Sequence, residues 1–294
     1  MVFLVQMGTK PKPAHARLID EYPLFKEKLA HSAFGLPIYL ESSDTQGTVY
    51  GVLSFPYATL EAYFSRPEVW CGVFLLHSNT KACTYLVRQP HCALILYNGN
   101  KDYETPSEAV RVAYDFNVVN SNSADFQVVL NAEKGPFFTK NYRMDFQAIP
   151  LTERSAFVRF EFSYQSDPVI RKLIAFYLAT WGRNKIGFTV AGQDDEGNAV
   201  HIKGPRAILE RNVIRYYLGI LAFLETAERN EWPQVKKRFD LWYDLTGRYP
   251  KQLYEKEKDA YLRVKEKEWS NQQKEQEKIP PAAQKSCSSF LKKP

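Results

Sequence analysis

The sequence is poor in the features that mark the commonest functional classes. It has four cysteines in 294 residues, too few for a disulfide-built scaffold. It contains no Gly-x-Ser-x-Gly, Walker A, dinucleotide-binding or His-Glu-x-x-His motif. No apolar run approaches the roughly twenty residues that span a bilayer. These absences count against the best-marked enzyme classes and predict a chain without a transmembrane helix.

Charge of one sign is not concentrated in any stretch of the chain. The net charge is +6, and the densest basic run, residues 256–267, is interleaved with glutamates. Proteins that bind nucleic acid neutralise phosphates with a continuous basic surface. We therefore expect no nucleic-acid partner. No motif indicates a cofactor.

The first residues, MVFLVQMGTKPKP, form a short apolar patch with no basic region before it and no small-residue cleavage site after it. A secretory signal peptide has all three parts. The segment therefore falls short of a signal peptide. A leader shortened by a misassigned start stays open as an alternative.

What the chain does have is enough apolar residues for a large core, with 45% hydrophobic and 14% aromatic content. Apolar and polar residues alternate with a period of two in four consecutive segments, AVRVAYDFNVV, ADFQVVLNAE, NYRMDFQAI and AFVRFEFSYQ. Short connections rich in Asn, Ser, Gly and Pro separate them, which predicts an antiparallel meander with one wet face and one covered face. Three further strands are predicted upstream, in GTVYGVLSF, ACTYLVR and CALILYN. Two short helices, split at Pro67, lie between the first two of these.

Helices dominate after the sheet. Apolar spacing predicts one helix from Asp167 to about Gly182 and a long, nearly all-apolar helix in GPRAILERNVIRYYLGILAFLETAERN, with a hairpin turning at residues 194–198 between them. Pro233 and Pro250 begin two more helices, the last running to about Lys278. In the tail, Cys287 is expected to be a free thiol. The predicted organisation is an N-terminal segment (1–45), a main domain (46–230), a helical extension (231–278) and a disordered tail (279–294).

This order of elements resembles the START-like, or helix-grip (SRPBCC), superfamily from about Gln46 to Trp181 or beyond. The stretches WCGVFLLHSNTKAC, KIGFTVAGQDDEGN and ERNVIRYYLGILAFL are also similar to motifs of a group of bacterial proteins, many of them exported and without an assigned function. The resemblance implies an α+β fold in which an antiparallel sheet of about seven strands wraps around a long helix. It also implies a cavity that holds lipids, sterols or polyketides, and it suggests a periplasmic or exported protein.

In such a fold, one concave face would carry the inward-pointing aromatic side chains of the strands. These are Tyr114, Phe116, Phe126, Phe146, Phe160, Phe162 and Tyr164. A helix must cover them, because so much exposed aromatic area is untenable in water. They either line a ligand cavity or fill a solid core, and both alternatives stay open.

Three residues are candidates to hold the polar end of a ligand: His77, Arg215 and Tyr217. His77 follows the second short helix, together with Asn79 and Lys81, near the expected cavity entrance; the alternative is that these residues cap the helix and bond nearby carbonyls. Tyr217, with its neighbour Tyr216, either presents a hydroxyl to the ligand or packs as a core aromatic.

Arg215 lies on the long helix and needs an acidic partner if it is buried. It either pairs with a carboxylate of the sheet or binds the carboxylate or phosphate of a ligand. The candidate carboxylates of the sheet are Asp115, Asp145 and Glu161.

Cys71 and Cys83 flank His77 and allow four interpretations. A zinc site needs further ligands at short spacing, which the sequence lacks, so no metal is expected. A nucleophilic pair needs a thiolate, but the apolar neighbours of Cys71 raise the pKa of its thiol. A disulfide between Cys71 and Cys83 and two buried thiols remain as alternatives.

The leading hypothesis is a non-catalytic carrier of a lipid, fatty acid or sterol-like molecule, which would make transient contact with membranes. The first alternative is a cyclase- or hydrolase-type enzyme in the same cavity, with Arg215, Glu210 or His77 as acid, base or electrophile. The second is an interaction module with a solid core that acts through its charged C-terminal helices. Oligomeric state is not encoded in any of these patterns.

Overall fold

The computed structural model describes residues 17–88, 91–136, 139–167, 185–227 and 233–285. The helices of this part are α1 (Leu18–Ala30), α2 (Tyr57–Phe64), α3 (Pro67–Phe74), α4 (Gly204–Glu225), α5 (Gln234–Gly247), α6 (Pro250–Leu253), α7 (Lys258–Glu277) and α8 (Pro281–Lys285). The strands are β1 (Ile38–Ser42), β2 (Gln46–Leu53), β3 (Thr80–Arg88), β4 (His91–Asn98), β5 (Val110–Ser121), β6 (Phe126–Lys134), β7 (Thr139–Thr152), β8 (Ser155–Ser166), β9 (Val190–Gln193) and β10 (Ala199–His201). After Asp167, the helix predicted to reach Gly182 lies outside the described residues, as does Cys287.

Eight strands form one antiparallel sheet in the order β1-β2-β8-β7-β6-β5-β4-β3. The four segments with a period of two are confirmed as β5 to β8, and the predicted hairpin is confirmed as β9 and β10. The sheet is one strand larger than predicted, because β1 pairs with β2 through contacts such as Leu40 with Val49. The N-terminal segment therefore supplies an edge strand of the main sheet.

Three helices cover the concave face of the sheet. Helix α4 crosses β1, β2 and β8, while α2 and α3 cover β7, β3 and β4. Two glycines of β2 allow α4 to lie close: a Cβ at Gly47 would sit 3.0 Å from Val213, and one at Gly51 would overlap the Tyr217 hydroxyl. A strand, two short helices, a six-stranded meander and a long helix held against the sheet make this a START-like, helix-grip α+β fold.

The convex face was predicted to be exposed to solvent, but part of it is buried. Helix α1 packs Phe25 and Leu29 against Tyr50 and Phe157, and all four side chains are buried. Because Tyr50 and Phe157 point away from α4, a second layer is needed to remove them from water. The sheet is therefore covered on both faces at this end.

The last predicted helix is interrupted at residues 254–257, between α6 and α7. Helix α7 then runs along the edge strand β3. The Gln272 side chain accepts a hydrogen bond from the Cys83 amide at 2.8 Å, and the Gln276 amide group both accepts from and donates to the Tyr85 backbone at 3.0 Å. An edge strand that would otherwise offer unpaired backbone groups is thereby closed.

A buried ion cluster fixes α7 to the start of β3. The Glu268 carboxylate lies 2.8 Å from the Lys81 ammonium and 2.7 Å from that of Lys265, and none of the three side chains is more than 1% exposed. Lys265 also donates to the His77 carbonyl at 2.6 Å. Removing the carboxylate would leave two buried cations without their counter-charge.

The tail predicted to be disordered is helical at α8, where the Gln284 side chain bonds the Gln276 and Ile279 carbonyls. Across the described residues, no helix combines the length and apolar character needed to cross a membrane.

Candidate ligand-binding site

The aromatic residues predicted to line a cavity lie on the concave face, and most of them are packed against other rings. Phe146 lies 4.9 Å from Phe64 of α2 and 5.8 Å from Trp70 of α3, ring centre to ring centre. Phe160 lies 6.4 Å from Trp70, and none of these side chains has measurable exposure. Rings in such contact leave no room for a ligand between them, so this half of the concave face is a packed core.

Tyrosines gather at the other end of the concave face. The Tyr142 ring stacks on Tyr164 at 5.3 Å and meets Tyr114 edge-on at 6.4 Å, while Tyr216 of α4 contacts Phe162 at 5.6 Å. Burial raises the pKa of Tyr114 and Tyr216, so both hydroxyls stay neutral and act only as hydrogen-bonding groups. Tyr164 is the one predicted lining residue that is only half-buried.

His77 lies beside this tyrosine end, with its ring 5.4 Å from that of Tyr216. Its Nδ1 accepts the Asn79 amide hydrogen at 3.2 Å, which leaves the proton on Nε2. Burial and the nearby Arg215 lower its pKa to about 3, although the Asn212 side chain acts in the opposite direction. The imidazole is therefore neutral at physiological pH.

Asn79 and Lys81, which follow His77, are engaged with the backbone. Asn79 donates to the Gly99 carbonyl at 2.8 Å, and Lys81 donates to the Asp102 carbonyl at 2.7 Å as well as to Glu268. These bonds hold the loop after α3 against the loop between β4 and β5.

The predicted partners of Arg215 are wrong, because Arg215 pairs with Glu255 in the turn between α6 and α7, at 2.6 Å. The carboxylates of Asp145 and Glu161 lie on the opposite face of the sheet, since odd-numbered residues of these strands point away from α4. There they bond Arg143 and Gln46 instead. Asp115 has the same outward orientation and is exposed.

Glu255 is shared by several cations. Its Oε1 lies 2.9 Å from the Lys101 ammonium and 3.5 Å from Arg211, in addition to Arg215. Burial raises the pKa of Glu255, but Arg215 and Lys101 outweigh burial and lower it to about 2. Its Oε2 is buried and accepts no hydrogen bond from the described residues.

Glu210, a candidate acid or base, is fully occupied. Its carboxylate accepts hydrogen bonds from Ser42 Oγ at 2.5 Å, from the amides of Phe188 and Thr189 at 2.6 and 2.9 Å, and from Thr189 Oγ1 at 2.5 Å. A carboxylate has about four acceptor sites, so none is left for a substrate. Glu210 ties the segment before β9 to α4 and β1.

Cys71 of α3 and Cys83 of β3 are joined by a disulfide, with their Cα atoms 5.0 Å apart. Both are buried, and no cysteine in the described part of the chain is a free thiol. The bond cross-links the helix that covers the sheet to the edge strand.

Tyr217 faces a different space, which we call the strand-end pocket. This pocket has a volume of about 320 Å³ and lies between the end of β2, the turn before β1, and helices α4 and α5. Its apolar walls are Leu36, Val52, Leu53, Leu221, Leu241 and Leu245. The Tyr217 hydroxyl lies over Gly51 and makes no hydrogen bond within the described residues, while Ser54, Glu225 and Arg248 are exposed residues of the same lining.

A second, smaller pocket of about 190 Å³ lies among α5, α6 and α7. Its walls include Trp242, Tyr243, Tyr254 and Tyr261, and it borders Glu255. It borders neither the sheet nor the long helix. It is therefore not the cavity between sheet and helix that the sequence predicted.

The predicted polar residues are therefore divided between two places. His77 and Arg215 lie near the tyrosine end, and Tyr217 lies in the strand-end pocket. The contributions of Glu255 and Lys101 were missed, because both belong to polar stretches typical of solvated loops. The signal that could have found them is the arginine pair at positions 211 and 215 of an otherwise buried helix, which requires an acid from elsewhere.

A scan of protein-family models and a search of curated proteins find no match to the chain. Among solved structures it is similar to norcoclaurine synthase from Thalictrum flavum, with a TM-score of 0.34 and 10% identity over 57% of this chain and 86% of that one. It is also similar to a START superfamily protein from Mycobacterium smegmatis, with a TM-score of 0.32 and 15% identity over 47% of this chain and 92% of that one.

The strand order and the placement of the helices establish the fold. The chain has the START-like, helix-grip fold.

Proposed function

We propose that this protein binds an apolar molecule with one polar end, such as a fatty alcohol or a fatty acid, in the strand-end pocket. The observation that carries the proposal is the pocket itself: about 320 Å³ with mostly apolar walls, and with the Tyr217 hydroxyl, which lies over Gly51, in its lining. Ligand pockets typically begin near 300 Å³ and combine apolar walls with a few polar groups. The volume equals that of about ten water molecules, which suits a medium-length chain.

The same contacts favour binding over catalysis. Glu210 has no acceptor site left, and Arg215 is committed to Glu255. His77, with a pKa of about 3, is too weak a base for proton transfer near neutral pH. The three residues considered for an enzyme mechanism are thus held in structural roles.

The test is displacement of a neutral apolar fluorophore, N-phenyl-1-naphthylamine, by decanol. Leu241→Trp fills the pocket, so we expect at least tenfold weaker binding of the fluorophore and of decanol. Val119→Trp is the matched control, because Val119 is an exposed residue of β5 far from the pocket. Equal binding by both variants and the wild type would contradict the proposal.

A second variant addresses the polar contact. Tyr217→Phe removes only the hydroxyl, and one hydrogen bond is worth about 0.5–1.5 kcal/mol. We expect decanol to bind roughly three- to tenfold more weakly to this variant, and decyl chloride to bind unchanged. A uniform loss for both ligands would assign Tyr217 a packing role instead.

A further inference from the structure

A second feature of the molecule, separate from the strand-end pocket, is an excess of positive charge around one buried carboxylate on one side of α4. We call it the Glu255 cluster and define it as Lys101, Lys185, Arg211, Arg215 and Glu255. Three of its cations converge on one atom, Glu255 Oε1, at 2.6 Å from Arg215, 2.9 Å from Lys101 and 3.5 Å from Arg211. The arginine side chains are 6% and 4% exposed.

The fourth cation increases the imbalance. Lys185 lies within electrostatic reach of Lys101, Arg211 and Glu255, and it forms no ion pair with a carboxylate of the described residues. Asp102, an acid of the loop between β4 and β5, lies 3.0 Å from Lys256, and its carboxylate also feels the charge of Lys101. Within the described residues, Glu255 is the carboxylate within ion-pair distance of Lys101, Arg211 and Arg215, so positive charge exceeds negative charge here.

Such an arrangement is electrostatically incomplete. Like charges held together in a partly desolvated place repel each other strongly, and proteins balance them with an anion or by loss of a proton. Burial, Lys101 and Arg211 lower the pKa of Lys185, and burial and Arg215 lower the pKa of Arg211 to about 10. Burial is the largest cause in both cases, and the neighbouring positive charges add to it.

We propose that Lys101, Lys185 and Arg211 form a binding site for an oxyanion, a phosphate or carboxylate group that completes the charge of the Glu255 cluster. Arg211 offers a planar fork of donors, and its Nε is fixed by the Gln252 carbonyl at 2.5 Å, so the guanidinium is pre-oriented. The two lysines supply mobile ammonium groups from the adjoining loops. Arg215 stays with Glu255 and holds the site in place.

The site can be emptied without disturbing the core. Lys101 is 34% exposed and Lys185 is exposed, so Lys101→Gln with Lys185→Gln removes two charges and leaves the buried arginines paired. The matched control is Lys26→Gln with Lys134→Gln, which removes the same charge from exposed lysines of α1 and β6. Circular dichroism establishes that both variants are folded.

The measurement is calorimetric titration of the full chain with inorganic phosphate at low ionic strength. We expect saturable binding by the wild type and by the control, and at least tenfold weaker binding by the double variant. Equal affinity of all three proteins, or no saturable binding by the wild type, overturns the proposal.

A second arm identifies the source of the oxyanion. Dioctanoyl phosphatidic acid carries a phosphate on a soluble lipid, and dioctanoylglycerol is the same lipid without it. If the phosphatidic acid binds more than tenfold tighter than phosphate, and the double variant removes that advantage, the oxyanion is a lipid head group. If phosphate binds as tightly as the phosphatidic acid, the site serves a free phosphate. If dioctanoylglycerol binds as tightly as the phosphatidic acid, the assignment of the oxyanion to a lipid head group is overturned.

Discussion

At the scale of single residues, Gly51 determines how closely the long helix approaches the sheet. A Cβ at this position would overlap the Tyr217 hydroxyl and crowd its ring. We predict that Gly51→Ala lowers the free energy of unfolding by about 1–3 kcal/mol, because the ring must move within a packed interface.

A double-mutant cycle checks this cause by urea unfolding. In a Tyr217→Phe background the closest overlap is gone, so Gly51→Ala should cost measurably less. Gly192→Ala is the control, since nothing lies within 4 Å of a Cβ there. Equal costs of Gly51→Ala in both backgrounds would exclude the hydroxyl as the cause.

His77 is the basis of a prediction about how the free energy of unfolding depends on pH. Its pKa is about 3 in the folded protein, against 6.5 as the unperturbed value. The unfolded chain therefore binds a proton between these values and the folded one does not, so the stabilisation present above pH 6.5 is lost as the pH falls. A single such group gives a slope of about 1.4 kcal/mol per pH unit.

The measurement is the free energy of unfolding of wild type and His77→Gln between about pH 6.5 and 4.5. We expect the wild type to lose stability more steeply than the variant, by close to one proton's slope. Parallel curves would mean that the imidazole is protonated in the folded state.

Arg215 illustrates how far single residues can be predicted. One charge on a buried helix was enough to predict that Arg215 needs an acidic partner. It was not enough to predict which residue that partner is. Glu255 is forty positions away and lies in a charged run that is typical of a solvated surface. The carboxylates of the sheet can be excluded as partners only when it is known which residues of each strand face α4. That knowledge requires the three-dimensional packing.

At the scale of elements, helix α7 closes the edge of the sheet through side chains rather than a strand. Gln272 and Gln276 bond the backbone of Cys83 and Tyr85. We predict that Gln272→Ala with Gln276→Ala lowers the free energy of unfolding by about 2–4 kcal/mol, because buried backbone groups lose their partners.

Hydrogen exchange locates the effect. The amides of Cys83 and Tyr85 should exchange faster in the double variant than in the wild type. Gln273→Ala changes the same residue type on the same helix at a position without a hydrogen bond to β3, and should leave both rates unchanged. Unchanged protection in the double variant would show that α7 does not hold this edge.

The strands and helices were predictable to different degrees. Strands β5 to β8 followed from a period of two over ten or so residues each, which is the strongest local signal a strand has. Strand β1 was missed because five residues, IYLES, are too few to show that period. Helix α1 was not expected on the convex face, since which side of Tyr50 and Phe157 is covered depends on tertiary packing.

At the scale of the whole molecule, the helices pack more closely against the concave face of the sheet than the resemblance implied. Phe64, Trp70 and Phe146 fill the concave face, and Tyr216 brings α4 against Phe162. Aromatic residues in strands are compatible with a cavity or with a core, and only side-chain volumes decide between them. The strand-end pocket lies between the end of β2, the turn before β1 and helices α4 and α5, a position that no sequence period marks.

Methyl-detected NMR of the full chain titrated with decanol tests the central proposal most directly. Val52, Leu221 and Leu241 line the strand-end pocket, whereas Val49 and Leu130 lie buried on the concave face. The proposal predicts saturating shifts and ligand contacts confined to the first three methyl groups. Contacts with Val49 and Leu130, or no saturable shift in any methyl group, would contradict it.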